Sequence, residues 1–177
     1  MTYMKNRWTI GNQTCNDYGQ MDGRLQRDID GCDVYGVLAR WPLDDATGRV
    51  NGGEQILVDM QRGDIQGRRA CATFSTHSIP SCVVKDHTSG DFFISVGDGA
   101  GFTTVDAGNL GHNLCNDDQS YQGAFRAQNP MRLNGKILRL REEEGFEPSI
   151  VSTGHRNPFR LSVYNGELYE IETGWCE

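Results

Sequence analysis

A guanidinium, a carboxamide and an imidazole stand together in Gly154-His155-Arg156-Asn157-Pro158-Phe159-Arg160. The Arg156 guanidinium is charged at any physiological pH, and Asn157 beside it offers both a donor and an acceptor. The pair lies on a turn leading into a hairpin, residues 161–164 and 167–172 around Asn165-Gly166. A charged fork on such a turn suits contact with an anion. His155, just before the arginine, reads as a packing or backbone-bonding residue. Other reactive groups say less. Asp28-Ile29-Asp30-Gly31 follows a calcium loop only at its start, so it reads as a solvated turn. His112 with Cys115 is half a metal site without a second pair. Asp98, in Gly97-Asp98-Gly99, and Asp106 read first as turn aspartates, and Glu142-Glu143-Glu144 as a solvated turn.

The six cysteines, Cys15, Cys32, Cys71, Cys82, Cys115 and Cys176, include no CxxC pair, which argues against a zinc cluster. An even number of well-separated cysteines suits disulfides in an oxidising compartment, and Cys15–Cys32 would close the N-terminal loop. Their connectivity stays open at this level. Asn12-Gln13-Thr14 is a glycosylation sequon and agrees with a secreted parent protein. The first residues lack the apolar stretch of a secretion signal, so the secreted reading expects an internal piece or an incomplete chain. A formal net charge of −7 argues against a nucleic-acid partner, because phosphate binding needs a basic surface. No apolar run is long enough to span a membrane as a helix.

The elements that must position these groups are short strands. Long helical periodicity is missing and 22 glycines punctuate the 177 residues, which points to an all-β class. Residues 1–31 are polar and irregular and form a separate Cys-containing segment ahead of residues 32–177. Residues 34–43 alternate as a strand with Val37, Ala39 and Trp41 on one face, and residues 54–60 return after the Asp44–Gly48 turn. An Arg- and Gly-rich connection covers residues 61–75. Strands follow at 81–85, 92–96 and 135–140, with a long loop over 102–134, and residues 149–153 lead into the Gly154 motif. Asn165-Gly166 is the strongest hairpin signal. Such strand–turn–strand units match propeller blades, about three of them at ~40–60 residues each.

Four ordered segments carry a family resemblance. They are Tyr35-Gly36-Val37-Leu38-Ala39-Arg40-Trp41 with residues 47–58; Cys71 through His77-Ser78-Ile79 to Gly97-Asp98-Gly99-Ala100-Gly101-Phe102; residues 123–128 with Leu133-Asn134-Gly135-Lys136-Ile137-Leu138-Arg139; and the Arg156-Asn157 hairpin. Together they resemble the soluble quinoprotein glucose/sorbosone dehydrogenase family, a six-bladed β-propeller, of which this chain would hold about half the blades. The resemblance is nearest to secreted, cysteine-containing members.

That resemblance implies a cofactor, pyrroloquinoline quinone (PQQ), and calcium. It places the general base at His77, which lies shortly before the Gly97-Asp98-Gly99 strand end. It makes Arg156 and Asn157 quinone contacts, with Arg156 also catalytic. Thr173 stands at a neighbouring cofactor-binding position, and the Gly174 backbone carbonyl would be a calcium ligand. His87 is nearer the glycine motif but falls in a turn. A neutral imidazole suits removal of a sugar hydroxyl proton, and an adjacent cation suits charge developing on a quinone oxygen. The implied activity is an oxidoreductase acting on sugar CH–OH groups with a separate electron acceptor. Two departures accompany it. The 139–154 connection is shorter than in typical members, and further cations for the PQQ carboxylates would have to come from elsewhere. The alternative is a non-catalytic extracellular propeller binding a protein or carbohydrate, as the Hedgehog-interacting propellers do. Such a protein has no need of a base facing an arginine.

Overall fold

The computed structural model describes residues 2–6, 33–73, 80–100 and 123–173. These residues form small antiparallel sheets, so the all-β class holds. In the first sheet β2 (Asp33–Arg40) is central. It pairs with β1 (Thr2–Asn6) on one side, and with β3 (Gln55–Asp59) and β4 (Cys71–Thr73) along its length. Val37, Leu38 and Ala39 are all buried, so β2 is covered on both faces rather than alternating. Its register with β3 shifts between Leu38 and Ala39.

The second sheet is a meander in chain order: β5 (Cys82–Lys85), β6 (Phe92–Val96), β7 (Lys136–Leu140) and β8 (Ser149–Thr153). A short 3-10 helix, Gly123–Gln128, precedes β7. The third sheet is the hairpin β9 (Pro158–Tyr164) and β10 (Glu167–Glu172), and β9 packs against β5 and β6. Asn165 and Gly166 both take positive φ, 52° and 78°. That is the mirror-image two-residue turn whose twist matches the strands, and Asn-Gly is the pair that adopts it most readily.

One core joins the first two sheets. Leu38, Val58 and Met60 meet Ile94, Val96, Leu138 and Leu140, with Phe146 closing one end. Burying each large side chain contributes about 1.5–3 kcal/mol, which outweighs the poor local pairing of strands this short. Phe146 has φ 62°, unusual for a bulky residue. Its ring lies 5.9 Å from that of Phe92, and the Arg40 guanidinium stands 5.7 Å from its centre. Asp44 and Asp86 close the two exposed turns through Thr47 and Ser89, and those bonds hold both carboxyls below their ordinary pKa.

Several expectations change. Thr2–Asn6, in the stretch expected to be irregular, forms an outer strand of the first sheet. The 61–75 connection contains β4, and residues expected to be loop ahead of β7 form the 3-10 helix. Cys71 is disulfide-bonded, whereas Cys82 is a free thiol. Full pairing of the cysteines therefore fails at Cys82, whose Sγ rests 3.8 Å from the Val83 carbonyl oxygen. Cys15, Cys32, Cys115 and Cys176 lie outside the described residues. No described helix is long and apolar enough to cross a membrane.

Candidate functional site

The Arg156-Asn157 corner is held from three directions. Strand β8 ends at Thr153, and Gly154 turns the chain with φ 91°. The Gly154 amide donates to the Ala127 and Gly135 carbonyls, both at 3.1 Å, and the His155 amide donates to Gly135 at 3.1 Å. The Asp98 amide donates to the Arg156 carbonyl at 2.9 Å, which joins the Gly97-Asp98-Gly99 turn to the corner. From the hairpin side, the Thr173 amide donates to the Asn157 carbonyl at 3.0 Å. The Glu172 carboxylate Oε1 accepts from the backbone amides of Arg156 and Asn157. The corner is thus braced by the ends of β6, β7 and β10 before either side chain is considered.

Gly135 permits this convergence. It has φ 62°, and a Cβ there would lie 2.4 Å from the Ala127 Cβ and 2.6 Å from the His155 carbonyl oxygen. Beneath it lies a buried polar hub. The Asn134 carboxamide donates to the Cys71 and Asp98 carbonyls at 2.9 and 3.2 Å and accepts from the Cys71 amide at 3.2 Å. The Lys136 ammonium is fully buried and donates to the carbonyls of Ala127 and Asn134, each at 2.7 Å, and of Arg126 at 3.3 Å. Burial, with the Arg68 charge adding to it, pulls the Lys136 pKa down to about 8. With its three donors spent on carbonyls, Lys136 is a fastener of the loops around β7 and not a reactive amine. Arg126 reaches the Gly99 carbonyl at 3.1 Å. Asp98 is buried and its Oδ1 accepts from the Ala100 amide at 2.8 Å, the role of a turn aspartate.

The second feature of the corner is a trio that sequence reasoning did not assemble. His155 was expected to pack or to bond backbone, but its ring meets side chains. Nε2 lies 2.8 Å from Ser152 Oγ, and Nδ1 lies 2.9 Å from Glu170 Oε1 and 3.5 Å from Glu172 Oε2. The Nδ1–Glu170 approach is close but not aligned as a hydrogen bond, and Glu170 Oε1 is shielded from water without an aligned donor. Burial raises the Glu170 pKa, while the His155 charge opposes that rise and Glu172 adds to it. The available signal was the two-residue spacing of Glu170 and Glu172, which puts both on one face of β10. Their meeting with His155 depends on the hairpin's fold-back and had no local signature.

Of the residues expected from sequence, Arg156, Asn157 and Thr173 come together at this corner, the first two half-buried and Thr173 exposed. His77 and Gly174 lie outside the described residues. His87 is exposed in the turn before β6, as expected. Comparison of the chain with family models, curated proteins and solved structures finds no match.

Proposed function

We propose that the chain is part of a β-propeller of the quinoprotein glucose/sorbosone dehydrogenase type, serving the oxidation of sugars. The observation that carries this reading is the convergence of segments far apart in sequence. Residues 97–99, 134–136 and 154–157, each within a segment of the resemblance, meet through backbone bonds at one corner. The four-stranded meander β5–β8 supports it, because it has the strand order of a propeller blade. In this reading the first sheet and the β9–β10 hairpin belong to the flanking blades.

The donor set at the corner fits the quinone edge of PQQ, since Arg156 supplies a permanent charge and Asn157 a carboxamide. It does not supply cations for the PQQ carboxylates, as Glu170 and Glu172 occupy the hairpin side. PQQ, when bound, supplies the hydride acceptor. Arg156 and Asn157 would hold its quinone edge, Thr173 would be a further cofactor contact, and the Gly174 carbonyl would be a calcium ligand. His77 would accept the sugar hydroxyl proton.

A non-catalytic binding propeller is the second reading. The structural use of the Arg156 and Asn157 carbonyls favours it, because a corner braced this way has a role without any cofactor. Dye-linked glucose oxidation by the chain supplied with PQQ and calcium separates the two. The catalytic reading expects turnover that falls about 10²–10⁴-fold in His77→Ala, the usual contribution of a general base. A folded chain that binds a carbohydrate or protein without turnover would favour the second.

A further inference from the structure

We propose that Glu172 is the positioning residue of the Arg156-Asn157 corner: its carboxylate holds two successive backbone amides and so sets how the guanidinium and the carboxamide are presented to a quinone. This role rests on the reading of the corner as a quinone site. Glu172 Oε1 accepts from the amides of both Arg156 and Asn157. Those two amides belong to the two rigid peptide planes on either side of the Arg156 Cα. One oxygen that bonds both planes fixes their mutual rotation, and with it the direction in which the Arg156 side chain leaves the backbone. The second plane is also held from its other edge, where the Arg156 carbonyl accepts from the Asp98 amide at 2.9 Å. A carboxylate bonded to main-chain donors makes charge-assisted bonds, which are stronger than neutral ones.

Three features aim Glu172 at the corner. The first is a bulge in β9. Ile171 pairs with Arg160, but Glu172 pairs with Pro158, so Phe159 is the extra residue. Pro158 has no amide to give to the ladder, and a bulge bends its strand and redirects the residues beside it. The extra residue draws Arg156 and Asn157 one position nearer to Glu172 than regular pairing would. The second is the far oxygen of the same carboxylate. Oε2 stands 3.5 Å from His155 Nδ1, and the other nitrogen of that ring is 2.8 Å from Ser152 Oγ. The carboxylate is therefore oriented through both of its oxygens. The third is the neighbouring residue: the Thr173 amide donates to the Asn157 carbonyl at 3.0 Å, which lays the end of β10 along the corner. Glu172 thus acts through Arg156 and Asn157 and has no need to touch the ligand itself.

The test is spectroscopic titration of the full chain with PQQ in the presence of calcium, made on the wild type, Glu172→Gln and Glu172→Ala. The glutamine oxygen can accept the same two amides, whereas alanine offers no acceptor. Affinity should fall about tenfold or more in Glu172→Ala, because a misplacement of about 1 Å can cost on the order of 10²-fold. Glu172→Gln should stay within about threefold of the wild type, since the two bonds survive with a neutral acceptor. Circular dichroism reports whether each variant keeps the fold. Wild-type affinity in a folded Glu172→Ala would overturn the inference and leave the quinone reading standing. A folded Glu172→Gln as weak as Glu172→Ala would overturn it too, since the bonds to the amides would then not be what matters. A folded wild type that does not bind PQQ removes the quinone reading instead. Amide hydrogen exchange at Arg156 and Asn157 then decides the positioning claim by itself. Faster exchange in Glu172→Ala but not in Glu172→Gln supports it, and equal exchange in all three proteins overturns it.

Discussion

Lys136 is the residue whose environment makes the most direct demand on pH. Its ammonium is buried among carbonyls, and its pKa in the folded chain is about 8 against the ordinary 10.5. Below about 8 both folded and unfolded chains carry the proton, so the cost of burying the charge is constant. Between about 8 and 10.5 the unfolded chain keeps the proton that the folded chain has shed, so stability rises with pH across that window. Urea midpoints measured across it should climb in the wild type, and the climb should shrink in Lys136→Met. Equal slopes in the two proteins would contradict the assignment. The place of Arg156 and Asn157 on a corner before a hairpin was legible because the Asn165-Gly166 turn and its flanking strands are a local pattern. The roles of Asn134, Lys136 and Arg126 were not, because each bonds carbonyls from distant segments. Cys82 illustrates the same limit, as an even cysteine count cannot say which thiol is left without a sulfur in reach. Peptide mapping after alkylation without reduction should find Cys82 modified and Cys71 protected.

At the scale of elements, two glycines with similar backbone angles should respond very differently. Gly135 has φ 62° with backbone and side-chain atoms crowded against its missing Cβ, whereas Gly166 has φ 78° with open space around it. Gly166→Ala should cost about 1 kcal/mol, the usual penalty for a positive φ. Gly135→Ala adds a clash with Ala127 and His155 and should cost about 2–4 kcal/mol, or prevent folding. Urea unfolding of the two variants checks the order, and comparable losses would show the corner to be looser than described. Strands with their own turn were the legible ones. Residues 92–96 and 167–172 were expected with the bounds they have, and the Asn165-Gly166 turn was expected from its residue pair alone. Strands β1 and β4 were missed because each is short and defined by pairing to β2 across a long sequence separation. The burial of β2 on both faces also erased the alternation that was expected of it.

For the molecule as a whole, one apolar core spans the first two sheets, so they should lose structure together. Leu138 is fully buried at their junction, and Leu138→Ala should cost about 2–5 kcal/mol. Near- and far-ultraviolet circular dichroism should report coincident transitions in both wild type and variant. Separate transitions would mean that the sheets are independent units. The all-β class was legible from composition and strand spacing, whereas arrangement of the sheets as propeller blades follows only from the resemblance and remains a proposal. The central claim, that the Arg156-Asn157 corner receives a quinone, is tested most directly by spectroscopic titration of the wild type and Arg156→Ala with PQQ in the presence of calcium. The account predicts saturable binding by the wild type and a loss of at least about tenfold in Arg156→Ala, the effect of removing one charge-assisted contact. A folded wild-type chain that fails to bind, or binding indifferent to Arg156, would contradict it.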